Sequence, residues 1–143
     1  RRFNDMANAI YPKFKEELAK VNANNALNSS EGTTGVYAAL VDTGTYTYSA
    51  SHQFYSSLSG VVGTDQEILS KTVTNGTLDG TDLTFTGVTG ASVEAIVLYR
   101  KNAGANTTWP LIAYIDTGVT GLPVTPNGGN VLIQWNASGI FAL

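Results

Sequence analysis

From residue 35 onward, short runs of β-branched and aromatic residues alternate with Gly, Asn, Asp and Pro turn signals. That punctuation leaves no stretch long enough for a helical core, so the chain reads as mainly β with one N-terminal helix: an antiparallel β-sandwich or a jelly-roll-like barrel. Strands are predicted over residues 35–41, 45–48, 68–74, 83–86, 93–99, 111–115, 131–135 and 140–143. The strongest turn is Asn75-Gly76, because both residue types tolerate positive φ; Thr77-Leu78 then starts the return strand of a hairpin. Residues 122–126 carry Pro123 and Pro126 and are excluded from any central strand, since each proline removes a ladder donor. Residues 52–58 read as a short helical turn stopped by Gly60. Strand centres supply the predicted core: Val36, Leu40, Phe85, Ile96, Leu98, Ile112, Ile133, Trp135 and Phe141.

The helix is expected at 11–21. Pro12 suits a first helical position, Glu16 and Glu17 suit the positive end of the helix dipole, and Lys20 suits its negative end. Phe14, Leu18 and Val21 recur at helical spacing as one apolar stripe. Asn22, Asn24 and Asn25 end the pattern, and a small polar stretch runs to Thr34. The organisation is therefore an N-terminal arm, helix and linker over 1–34 and a β-domain over 35–143, together one compact domain.

Solvation of this chain rests on hydroxyls and amides. Charged residues make up 13% of it, about half the usual 25%. A surface of that kind enters an interface cheaply, because few charges have to lose water; a secreted domain with a neutral surface has the same composition. The formal net charge of −3 argues against nucleic acid, whose phosphates need clustered cations. Arg1, Arg2, Lys13, Lys15 and Lys20 are interrupted by Glu16 and Glu17 and read as a solvated face. No window approaches the roughly 20 apolar residues of a membrane span, and Arg1–Met6 is not followed by the apolar core of a secretory signal. Without cysteine, no disulfide or thiolate chemistry is open to the chain.

No motif for catalysis stands out. His52 is the only histidine. No Gly-x-Ser-x-Gly elbow accompanies it, so a structural or surface role is the expectation. Asp79-Gly80-Thr81-Asp82 puts two carboxylates in one loop, as calcium would want, but lacks the run of oxygen ligands that defines such a site. Turn chemistry explains the same residues. No metal or cofactor is assigned. Asn28, Asn75, Asn106 and Asn136 match the glycosylation sequon, a match expected by chance in a chain so rich in Asn, Ser and Thr. Trp109, beside Pro110 in a loop, would combine with Tyr46 and Tyr48 in a sugar-binding platform; the alternative for all three is ordinary packing.

Three segments, Met6–Glu16, Ala39–Tyr48 and Gly121–Gly129, resemble segments of small virion proteins of tailed bacteriophages. The resemblance runs from Met6 to Leu143, which makes Met6 the expected start and Arg1–Asp5 an extension. The other departure is the Asn-rich stretch 22–30. The resemblance implies a head decoration or cement protein on the outer capsid surface, made in the host cytoplasm. Its partners would be the major capsid protein and copies of itself, as a trimer or another symmetric oligomer, with no enzymatic activity. A connector or tail component, or an adhesin-like carbohydrate-binding domain, is the alternative. The residues expected at interfaces are Arg1, Arg2, Phe3, Ile10, Tyr11, Phe14, Trp109, Phe141 and Leu143.

Overall fold

The computed structural model describes residues 8–32 and 34–143. Arg1, Arg2 and Phe3, expected at an interface, lie outside the described residues. Among the described residues the fold is mainly β, with antiparallel strands and one α-helix near the N-terminus. In chain order the elements are β1 (Ala9–Ile10), α1 (Pro12–Ala19), β2 (Gly35–Val41), β3 (Val61–Glu67), β4 (Thr72–Thr74), β5 (Thr77–Asp79), β6 (Leu83–Phe85), β7 (Ala95–Lys101), β8 (Leu111–Ile115), β9 (Val131–Ile133) and β10 (Phe141–Ala142). A single 3-10 turn at Tyr55–Ser57 takes the place expected for a helical turn before Gly60.

Five strands form the main sheet in the order β1-β8-β7-β2-β3, and two smaller sheets, β10-β5-β4 and β6-β9, complete the architecture. Successive side chains of a strand point to opposite faces. Yet all five residues Ala95–Tyr99 of β7 and all five of β8 are buried. The centre of the main sheet is therefore covered on both sides, and its sequences are continuous apolar runs for that reason. On one face Tyr99 and Tyr114 meet rings from the loops, namely Tyr46, Tyr48, Tyr55 and Trp109, and Tyr37 stacks on Tyr99. The smaller sheets contribute Leu78, Leu83, Phe85, Val131 and Ile133 to the same buried cluster.

The hairpin forms where expected: Asn75 and Gly76 sit at φ 49° and 78°, and Val73 pairs with Leu78. Helix α1 is shorter than the apolar stripe suggested. Val21 adopts φ 58° and is 89% exposed. The N–H of Asn22 bonds the Glu17 carbonyl and that of Val21 bonds the Leu18 carbonyl. This is a Schellman end with valine in the place glycine normally takes. Phe14 alone of the stripe is fully buried, and it joins the core of the β-domain, so the N-terminal region and the sheets share one interior. Glu16 and Glu17 do not reach the first helical turn; they pair with Lys13 and Lys20 along the helix surface.

Three strand expectations need correcting. Of residues 68–74 only Thr72–Thr74 form a strand; Ile68 turns its side chain into the core before it. Residues 45–48 form no strand: after the 43–45 turn the chain crosses the sheet, and Tyr46 packs its ring there instead of pairing its backbone. Conversely β3 carries Gly63, Asp65 and Glu67 and gave no apolar alternation, because it is an edge strand interrupted by a bulge, with only Val62 fully buried. Within the predicted core only Phe141 is partly exposed, because β10 is a two-residue edge strand. No helix among the described residues is long and apolar enough to cross a membrane.

Candidate functional site

The residues expected at interfaces fall into three groups. Tyr11 and Phe14 are 0% and 1% exposed and belong to the core, so they are not available to a neighbouring chain. Position 11 precedes Pro12, and the Tyr11 N–H joins the Ile112 carbonyl, which turns the side chain inward. Its hydroxyl meets that of Tyr46 at 2.7 Å, and Tyr46 meets His52 Nδ1 at 2.8 Å. Burial pushes the Tyr11 phenol far above its ordinary pKa. His52 thus commits a ring nitrogen to a structural tyrosine pair.

Ile10 and Phe141 form the second group. They come from opposite ends of the chain and meet in one groove of about 600 Å³, whose lining also includes Ala9, Tyr48, Ile115 and Ile140. β1 is one edge of the main sheet and β10 one edge of the smaller β10-β5-β4 sheet, so two strand edges that are unpaired among the described residues border this groove. Lys15 stands at its rim. The C-terminal Leu143, 58% exposed, follows directly from β10. Asn8 anchors the start of β1: its side-chain oxygen receives the N–H groups of Asp116 and Thr117 at 2.9 and 3.1 Å.

Trp109 is the third case. It is half-buried, its Nε1–H donates to the Gly104 carbonyl at 2.9 Å, and its ring stacks on Tyr99 with centroids 5.7 Å apart. Tyr46 and Tyr48 belong to a different cluster, with Tyr11 and Tyr114. The three residues do not form one platform.

What surrounds Trp109 escaped the sequence reading. Between the pairs Leu40–Val62 and Ala38–Gln66, β3 has three residues against one of β2. The resulting bulge, with Gly63 at φ 75°, re-aims Asp65. Asp65 Oδ2 accepts from the hydroxyls of Tyr99 at 2.7 Å and Tyr55 at 2.9 Å. Burial raises the Asp65 pKa, while those hydrogen bonds and Lys101 oppose the rise. Burial and the neighbouring carboxylate push both phenols up. A cleft of about 360 Å³ opens here, lined by Tyr37, Tyr55, Asp65, Tyr99, Lys101 and Trp109 among others. A glycine inside a strand-like stretch was the available signal for the bulge.

The loop weighed as a calcium site uses its carboxylates on backbone. Asp79 Oδ1 receives the Gly80 N–H and Asp82 Oδ1 receives the Trp135 N–H, each at 2.9 Å. Among the described residues no three of His, Asp and Glu gather as a metal set. In comparisons with known proteins, the chain matches no protein-family model, and no curated protein matches it significantly.

Proposed function

We propose that this chain is a non-enzymatic structural protein of a tailed-phage virion, which decorates the capsid and stabilises it by binding at capsomer junctions. The observation that carries the proposal is the groove between β1 and β10, lined by Ile10 and Phe141 of two strand edges that are unpaired among the described residues. An unpaired edge offers a row of backbone donors and acceptors to an extended segment of another chain. The apolar lining supplies side-chain burial for the same segment. Asn8, Ala9, Ile10, Pro12, Lys15 and Tyr48 of that lining all belong to two of the segments that resemble phage virion proteins.

The neighbour is the major capsid protein, with further copies of this chain completing a symmetric oligomer. Stabilisation then follows from mass action: a protein that binds the assembled shell and not dispersed subunits shifts the equilibrium toward the shell. Many weak contacts repeated by symmetry add avidity.

The test is occupancy on purified phage heads, measured by cosedimentation and by electron microscopy. Ile10→Arg and Phe141→Arg put a charge into the groove from its two sides. Each should leave the β-domain folded by circular dichroism and lower occupancy at least about tenfold, equivalent to 1.4 kcal/mol of binding. Unchanged occupancy in both variants would falsify the assignment of the groove. Wild-type protein located by microscopy only on the tail would move the role to a tail component.

A further inference from the structure

We propose that the cleft beside β3 is a second binding site, for a neutral ligand rich in hydroxyls: one or two sugar units. It lies at the opposite edge of the main sheet from β1, so it does not depend on the assembly role.

Three rings make a continuous row, with Tyr37 stacked on Tyr99 at 5.8 Å and Tyr99 on Trp109 at 5.7 Å. Tyr55 meets Tyr99 and Trp109 edge-on at 4.5 and 5.4 Å, which braces the row from one side. The cleft therefore has a preorganised aromatic wall, and little ordering is left for a ligand to impose.

The polar groups define the ligand. Two phenols hold Asp65 through Oδ2, and its Oδ1 is enclosed, with no hydrogen-bond partner among the described residues. The carboxylate therefore acts on a ligand through its charge and not by contact. The Lys101 ammonium lies 5.1 Å from the Tyr37 ring centre and 5.2 Å from that of Trp109. It fills the place a cationic ligand would take over those rings. An anionic ligand would meet the Asp65 carboxylate. A neutral sugar avoids both conflicts. A hydroxyl accepts from Lys101, and the C–H face of the ring packs on the half-buried Tyr37 and Trp109 rings. At about 360 Å³ the cleft is near the lower limit for small-molecule sites, which suits one or two rings rather than a long glycan. Gly63 and Thr64, both exposed, form its mouth.

The probes are the methyl glycosides of glucose, galactose, mannose and N-acetylglucosamine, followed by saturation-transfer NMR on the full chain. Sialic acid and choline serve as charged competitors of the same size class. At least one neutral glycoside should bind in the millimolar range, as expected of a small open site. Lys101→Met removes the ammonium donor while keeping an apolar stem, and Thr64→Arg fills the mouth from an exposed position. Each should weaken the glycoside at least about tenfold. Occupancy on phage heads should stay unchanged, which separates this site from the groove. Saturation transfer to none of the four glycosides overturns the proposal. So does binding that survives both substitutions, or binding of sialic acid or choline alone.

Discussion

The main sheet ends in two different ways. At β1 the edge is two residues long, apolar, and open to a groove. At β3 it is seven residues long, and hydrogen bonds hold both of its carboxylates. Both oxygens of the Glu67 carboxylate receive the Gly32 N–H, at 2.9 and 3.0 Å, so the linker folds over that strand. Asp65 is held by two phenols, and the bulge at Gly63 breaks the regular ladder. Charges and bulges are the means by which a sheet edge avoids pairing with another chain. β3 carries both and β1 carries neither. The difference is the ground on which we propose strand-edge docking at the β1 side and small-molecule binding at the β3 side.

Stability measurements test that contrast most directly. Tyr99 is buried at the centre of the aromatic row, so Tyr99→Ala should cost about 3–5 kcal/mol in urea unfolding. Ile10, half-buried at the groove, should lose about 1 kcal/mol on truncation to Ala. Equal costs at the two positions would break the comparison, because the groove would then be core rather than docking surface. Tyr55→Phe removes one of two donors from Asp65 and should cost about 1.5 kcal/mol at neutral pH. A loss indistinguishable from zero would mean that water replaces the hydroxyl without penalty, and that Asp65 is less enclosed than its geometry shows.

The pH response sharpens the picture further. Burial raises the folded pKa of Asp65 above its unfolded value near 3.9. The folded state therefore holds this proton more tightly than the unfolded one. Its contribution is fully present below the unfolded pKa and is lost as pH rises through the folded pKa. Asp65→Asn should abolish this fall, so the melting temperatures of variant and wild type should diverge as pH rises from 4 to 7 in favour of the variant. Curves that stay parallel would contradict a buried carboxylate at this edge.

Glu16 provides the opposite sign and the smallest effect. Hydrogen bonds from Lys20 and then Lys13 hold its carboxyl down at about 2. Stability from these contacts is present above the ordinary glutamate pKa and fades as pH falls toward 2. The contacts are solvent-exposed and screened by salt. Lys20→Ala should move the melting temperature by less than any substitution at either sheet edge, with the difference shrinking further in molar salt.

Where structure follows from neighbours along the chain, the sequence was sufficient. Asn75-Gly76 makes its hairpin because two residues that tolerate positive φ stand between residues that favour strands. Pro12 starts the helix, and the apolar runs of β7 and β8 sit at the centre of the sheet because only a doubly covered strand can be apolar throughout. Local preference carries no information about which distant surfaces will meet. Tyr11 and Phe14 look like an exposed arm until the β-domain closes over them. Tyr46 and Tyr48 look like a strand until the space above Tyr114 takes their rings. Asp65 and Tyr99 stand 34 residues apart and carry no shared pattern; the bulge of β3 and the β3-β2-β7 strand order bring them together. Ile10 and Phe141 share a groove only because β1 and β10 end as edges of two sheets in the same packed interior. Folding chose these partners by burying the most apolar surface in one close-packed volume, a property of the whole chain that no short window contains.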